Sequence, residues 1–155
     1  MIKQDPEITI LIADDDEDDR DFINDAFATI GSFCRLQFVE NGLAVMDYLL
    51  HKDRFSDATF YKTPDLILLD LSMPLQDGFE TLIAIRNNHI FIPVITLSNC
   101  AADDTIIKAY ELGANAFVSK PQSFENILKF IEAIQHFWFN FAEYPRNYKI
   151  MSPTY

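Results

Sequence analysis

Four short apolar runs and one alternating stretch are interleaved along this chain with five segments whose apolar residues recur at helical spacing. The apolar runs cover residues 9–13, 66–69, 94–97 and 117–119, the alternating stretch residues 35–38, and both patterns, bounded by turns, form strands. After the first run, Phe22, Ile23, Ala26, Phe27 and Ile30 share one helical face, and Gly31 stops that helix. A second helix starts at Asn41 and turns Ala44, Tyr48 and Leu49 inward. A third follows Asp77-Gly78, and a fourth runs from about Asp103 to Leu112 with Gly113 as its carboxyl cap. The fifth begins after Ser123, a good amino-cap residue, and reaches at least Phe137. Strand then helix, five times over, specifies an α/β fold with a parallel sheet and helices on both faces.

Strand character also orders the sheet. Residues 9–13, 65–70 and 92–97 are almost continuously apolar, as central strands buried on both faces are. Arg35-Leu36-Gln37-Phe38 alternates instead, which suits an edge with one wet side. The expectation is a doubly wound five-stranded parallel sheet in the flavodoxin-like order 2-1-3-4-5, which makes the first and third strands neighbours. One domain covers residues 1–144. Residues 51–63 form the only long irregular stretch, and residues 145–155 a loosely held tail.

Composition narrows the class. A chain of 155 residues is long enough to bury a real core in one domain. The longest apolar runs fall far short of the ~18 residues a membrane span needs, and Met1-Ile2-Lys3-Gln4-Asp5-Pro6 lacks a signal-peptide core, so a cytoplasmic protein is expected. Cys34 and Cys100 match neither a disulfide framework nor a zinc-site spacing, which leaves reduced thiols. A formal charge of −12 argues against nucleic acid as a partner, because phosphate backbones are bound through clustered Lys and Arg. Much of that charge is crowded near the amino terminus. Asp18, Asp19, Asp21 and Asp25 read as a solvated helix face, with acids near its favourable amino end. Asp14 and Asp15 differ, since they directly follow a strand.

The strand ends carry the chemistry. Ligands of an open parallel sheet sit beyond the carboxyl ends of the strands. Those ends are Asp14-Asp15-Asp16, Asp70, Ser98 and Lys120. Three carboxylates (Asp14, Asp15 and Asp70) in one crevice repel, at about 4 kcal/mol per pair for 4 Å and an effective dielectric of 20. A divalent ion relieves that repulsion. Mg2+ takes oxygen ligands, typically one or two carboxylates plus a substrate phosphate. Asp70 can then act as a nucleophile forming an aspartyl phosphate, with Lys120 as a compact counter-charge and Ser98 as a hydroxyl donor to a phosphoryl oxygen. The plainer alternatives are a bare acidic patch and ordinary solvated strand ends.

The segments Ile10-Leu11-Ile12-Ala13-Asp14-Asp15-Asp16, Leu68-Leu69-Asp70-Leu71-Ser72-Met73-Pro74-Leu75-Gln76-Asp77-Gly78, Leu97-Ser98 and Gly113-Ala114-Asn115-Ala116-Phe117-Val118-Ser119-Lys120-Pro121 resemble a response-regulator receiver domain over about residues 7–135. The resemblance implies a phosphoacceptor signalling protein rather than an enzyme, at most phosphorylating itself from small phosphodonors and dephosphorylating itself. Asp70 would take a phosphoryl group from the phosphohistidine of a sensor histidine kinase. Asp15 would bind Mg2+ directly and Asp14 through water, with the Ser72 backbone carbonyl as a further ligand. Ser98 would follow the phosphoryl group, Lys120 would pair with it, and Lys120-Pro121 would be a cis bond. Phe117 stands where the family has its switch aromatic, so the face formed by the fourth helix, fifth strand and fifth helix would change shape. Ser72 and Cys100 occupy positions that tune the phosphoryl lifetime, and neither is an acid or an amide.

The residues after the receiver are too few for a helix-turn-helix output domain, so the signal is expected to leave by contact with a downstream protein that the sequence does not name. On a helical wheel of residues 123–144, Phe124, Ile127, Leu128, Ile131, Ile134, Trp138 and Phe141 form a core stripe. Phe130, Ala133, Phe137 and Tyr144 make a second apolar set on the outward side. That patch suggests a homodimer through the carboxyl-terminal helix, unless residues 144–155 fold back over it. The long loop after the second helix and the aromatic extension are similar to single-domain regulators that partner bacterial phytochromes. Two rivals remain open. One is a receiver-shaped adaptor that is never phosphorylated. The other is a haloacid-dehalogenase-type phosphatase built on Asp14-x-Asp16, which would leave Asp70 without a role.

Overall fold

In the computed structural model, which describes residues 8–145, the predicted alternation is present throughout. The strands are β1 (Thr9–Ala13), β2 (Arg35–Val39), β3 (Leu66–Asp70), β4 (Val94–Ser98) and β5 (Ala116–Ser119). The helices are α1 (Glu17–Ile30), α2 (Gly42–Leu49), α3 (Gly78–Asn87), α4 (Asp103–Glu111) and α5 (Phe124–Ile134). All strand pairings are parallel and the order is β2-β1-β3-β4-β5. Successive side chains of a strand point to opposite faces, and two separate cores result. Leu11, Ala13, Ile67 and Leu69 pack under α2, α3 and α4 with Tyr48, Leu82, Ile85 and Ala109. Ile10, Ile12, Leu66 and Leu68 pack on the other face against Ile23 and Phe27 of α1 and Ile127 and Ile131 of α5. β1, β3 and β4 are fully buried while β2 is mostly half-buried, as continuous and alternating patterns require.

The helices start and stop where local chemistry directs. Asp16, Asn41, Asp77 and Ser123 each accept a backbone N–H of the first turn with their side chains. Gly31 closes α1 at φ 75°, a left-handed conformation that a side chain would strain. The irregular stretch after α2 is ordered by aromatic rings. Tyr48, Phe55 and Tyr61 lie 5.1–5.8 Å apart between centroids, and the Tyr48 hydroxyl donates to the Lys62 carbonyl at 2.8 Å.

Several wheel-based expectations need correction. Phe22, placed on the inner face of α1, is half exposed, because Ile23, Ala26 and Phe27 already fill the contact with the sheet. In the last helix the α-helical hydrogen bonding ends at Ile134, and Gln135–Phe139 form a π-helical turn. A π turn holds more residues than an α turn, so positions beyond Ile134 rotate away from the extrapolated wheel. Phe141, assigned to the core stripe, is 67% exposed, and Phe124 at the other end is 39% exposed. Phe130, assigned outward, is half-buried against the α1–α5 core. Residues 146–155, which include most of the expected tail, lie outside the described residues. Among the described residues, no helix is long and apolar enough to cross a membrane, and no cysteine forms a disulfide.

Candidate functional site at the carboxyl ends of the strands

The switch between β1 and β3 brings the predicted acids together. Ala13 of β1 is registered with Leu69 of β3, so each strand runs into its acid on the same edge. One carboxylate oxygen each from Asp14, Asp15 and Asp70 lie within 4.8 Å of one another. Asp14 and Asp70 are buried, whereas Asp15 is exposed at the mouth. The backbone shapes both buried acids: Asp14 Oδ1 accepts the Asp16 N–H at 2.9 Å, and Asp70 Oδ1 accepts the Ser72 N–H at 3.0 Å. The loop beyond β3 has room to turn only because Gly78 has no side chain. A Cβ there would stand 2.6 Å from the Asp70 carbonyl oxygen and from Leu71 Cα.

Lys120 enters from the other side. Its Nζ donates to Asp14 Oδ2 at 3.1 Å, Asp70 Oδ2 at 3.0 Å and Asp19 Oδ2 at 2.9 Å. Each ammonium proton therefore has its own carboxylate, a charge-assisted arrangement stronger than neutral hydrogen bonds. Burial alone would pull the lysine down, but the carboxylates of Asp19, Asp70 and Asp14 outweigh it and hold the ammonium above its ordinary range. Burial pushes the Asp14 carboxyl up to about 6, the Asp70 charge adding to it and the Asp16 N–H and Lys120 opposing it. Four carboxylates face one ammonium, and at full ionisation the group carries about three excess negative charges. A hard, oxygen-preferring divalent cation fits that donor set.

Ser98 and Phe117 are placed differently. Ser98 is buried at the end of β4, and the Lys120 N–H donates to its carbonyl at 2.9 Å, which makes the two neighbours across the sheet. Its hydroxyl oxygen accepts the Cys100 N–H at 3.1 Å and is bonded to none of the carboxylates. Phe117 lies outside the cluster, half-buried on β5 against the α2–α3–α4 core. Its N–H donates to the Tyr110 hydroxyl of α4 at 3.1 Å. The Lys120-Pro121 bond is trans, correcting the cis expectation. An X-Pro amide favours trans by about 0.5–1 kcal/mol, and a cis bond persists only where its surroundings demand it.

Two residues of this site escaped the sequence reading. Asp19 is a ligand of Lys120 rather than a solvated acid, because the first turn of α1 stands directly over the crevice. Its position four residues beyond Asp15 was the available signal. Arg20 donates from Nη1 to the Asp14 carbonyl at 2.7 Å and fixes the bend after β1.

The sequence matches the response regulator receiver domain family over residues 10–132. Response regulator Rcp1 of Synechocystis sp. is 30% identical over 142 residues, spanning 90% of this chain and 95% of that protein. The crystal structure of its Mn2+-bound form is similar with a TM-score of 0.76 at 28% identity, covering 90% of this chain and 99% of that one. The phosphorylated cyanobacterial phytochrome response regulator RcpA gives a TM-score of 0.81 at 30% identity, with 90% and 99% coverage. RPA3017, a response regulator in red light signalling of R. palustris, gives 0.85 at 32% identity, again with 90% and 99% coverage.

Proposed function

Because this chain belongs to the response regulator receiver domain family, we propose that it is a cytoplasmic phosphoacceptor that takes a phosphoryl group onto Asp70 from a sensor histidine kinase. In the transfer an Asp70 carboxylate oxygen attacks phosphorus, the histidine N–P bond breaks, and the imidazole leaves with the electron pair. Such transfers need positioning and charge neutralisation more than covalent help. One observation carries the reading: Lys120 Nζ lies 3.0 Å from Asp70 and 3.1 Å from Asp14, inside a cluster that also holds Asp15.

Asp14, Asp15, Asp70 and the Ser72 carbonyl would hold Mg2+. When bound, that ion supplies charge neutralisation for the three carboxylates and the incoming phosphoryl oxygens. The Mn2+-bound form of Rcp1 and the phosphorylated form of RcpA support the same pairing of chemistry here. Lys120 stays beside Asp70 and donates to a phosphoryl oxygen. Ser98 turns its hydroxyl proton to another, giving up the Cys100 N–H contact. Phe117, half-buried and adjacent to Tyr110, responds by shifting between two packings. The α4–β5–α5 face thus reports phosphorylation to an unidentified downstream protein as a population shift.

A second copy of the chain is the proposed occupant of the carboxyl-terminal aromatic surface. Phe137 of the π turn and Phe141 just beyond it expose 54% and 67% of their area there, and exposed apolar surface of that kind marks an interface.

The test is incubation with phosphoramidate and Mg2+ followed by intact-mass measurement. Wild type should gain one labile phosphoryl group, Asp70→Asn none, and chelation with EDTA should prevent the gain. A wild type that gains no mass would favour a receiver-shaped adaptor that works without phosphorylation.

A further inference from the structure

Lys120 shares two of its three carboxylate partners with the cation site. Its Nζ donates to Asp14 Oδ2 at 3.1 Å and to Asp70 Oδ2 at 3.0 Å. Those two acids, together with Asp15, are the carboxylates that converge within 4.8 Å. A divalent ion held among them draws on the same negative charge and repels the ammonium beside it. Asp19 stands apart from this competition. Its Oδ2 accepts the remaining ammonium proton at 2.9 Å, the shortest of the three bonds, and it is not one of the converging acids. Burial pulls the Lys120 ammonium toward deprotonation, and hydrogen bonding to Asp19 is the largest influence opposing it.

Asp19 is placed to stay charged and to stay still. It is the third residue of α1, where the amino end of a helix favours a carboxylate. Asp16 Oδ1 accepts the Asp18 N–H at 2.9 Å and the Asp19 N–H at 3.3 Å, which fixes the first turn. The surroundings hold no substitute for it. Lys120, Asp14 and Asp19 border a cavity of about 30 Å3 between α1 and α5, and its other walls are Ile23, Leu97, Pro121, Ile127 and Phe130. An ammonium driven off the two shared acids would meet only apolar walls there, a costly environment for an unpaired charge, and would leave for water.

We infer that Asp19 is a positioning residue for phosphoryl transfer, the dedicated counter-charge that keeps Lys120 beside Asp70 when the metal is bound. This rests on the phosphoacceptor reading of Asp70 and on the cation site next to it.

Asp19→Ala and Asp19→Asn test it, with Asp18→Ala as the control. Asp18 is an exposed acid of the same helical turn, and the three protons of Lys120 go to other residues. The first readout is the acylation rate of Lys120 by acetic anhydride, followed by peptide mass in Mg2+ and in EDTA. Mg2+ should change that rate less than twofold in wild type and Asp18→Ala, but raise it at least fivefold in Asp19→Ala. A merely structural loss would raise both rates alike. The second readout is Mg2+ binding by calorimetry, which should stay within threefold of wild type in every variant. The third is labelling by phosphoramidate at saturating Mg2+. It should slow at least fivefold in Asp19→Ala and Asp19→Asn, and stay within twofold of wild type in Asp18→Ala.

A response of Lys120 acylation to Mg2+ in Asp19→Ala that matches wild type overturns the inference. Mg2+ binding more than threefold weaker in Asp19→Ala makes Asp19 a support of the metal and overturns it too. Asparagine keeps an oxygen acceptor without the charge, so an Asp19→Asn labelling rate within twofold of wild type also contradicts the counter-charge role. Equal slowing in Asp18→Ala gives the effect to the acidic helix end as a whole and does the same. Failure of phosphoramidate to label wild type is a different result. It removes the phosphoacceptor reading, and the acylation comparison still decides whether Asp19 holds Lys120 against the metal.

Discussion

Lys120 shows why the site is stable before any ligand arrives. A buried ammonium among buried carboxylates is costly to desolvate, and three short hydrogen bonds offset that cost. The arrangement still leaves negative charge in excess, and Asp14 bears it most visibly. Its carboxyl is raised from the ordinary 3.8 to about 6, so the folded state favours the protonated form. The stability linked to this group is therefore complete below pH 3.8 and is lost as pH rises through about 6. In EDTA, wild type should lose stability relative to Asp14→Asn between pH 4 and pH 7 in urea denaturation. A difference that stays constant over that interval would contradict the assignment. Asp14, Asp15, Asp70, Ser98 and Lys120 were each legible as strand-end residues, because a strand end is a local feature. Asp19 was not, since its partner lies 101 residues away and an acid in the first helical turn has an adequate local explanation.

At the scale of elements, the strand ends are held in place from the opposite edge of the sheet. Arg86, near the end of α3, donates to the carbonyls of Ile90, Ile92 and Gly113 and to Asn115 Oδ1. It thereby ties α3 to the loops leading into β4 and β5, the strands that carry Ser98 and Lys120. Replacing it with Met leaves several of those carbonyls without a donor, each costing of order 1–3 kcal/mol when buried. Arg86→Met should lower the unfolding free energy by about 2–4 kcal/mol. A loss below about 0.5 kcal/mol by urea denaturation would show the staple to be dispensable. Nothing in the sequence marked Arg86, because its acceptors are backbone carbonyls brought near by folding. The elements themselves were readable from periodicity and caps, and failed where periodicity changed. The π turn after Ile134 is invisible to a wheel drawn at one constant angle, and it moved Phe141 from the expected core to solvent.

For the whole molecule, the apolar pattern of the strands fits the order observed: continuously apolar β1, β3 and β4 lie at the centre and alternating β2 at an edge. That order is what converts separate segments into one site, since it makes β1 and β3 neighbours and puts β4 and β5 beside them. Assembly was less legible, because an exposed aromatic surface does not name its partner. Phe137→Glu and Phe141→Glu should each shift wild type from dimer to monomer in sedimentation at micromolar concentration without changing the unfolding midpoint. A wild type that sediments as a monomer, phosphorylated or not, would remove the dimer.

The crevice itself is tested most directly by a crystal structure grown with Mg2+ and beryllofluoride, which mimics a phosphoryl group on a carboxylate. Beryllium should be bonded to an Asp70 carboxylate oxygen, with Lys120 Nζ about 3 Å from a fluorine and the metal on Asp15. Beryllofluoride absent from Asp70, or a metal bound away from Asp14 and Asp15, would contradict the account.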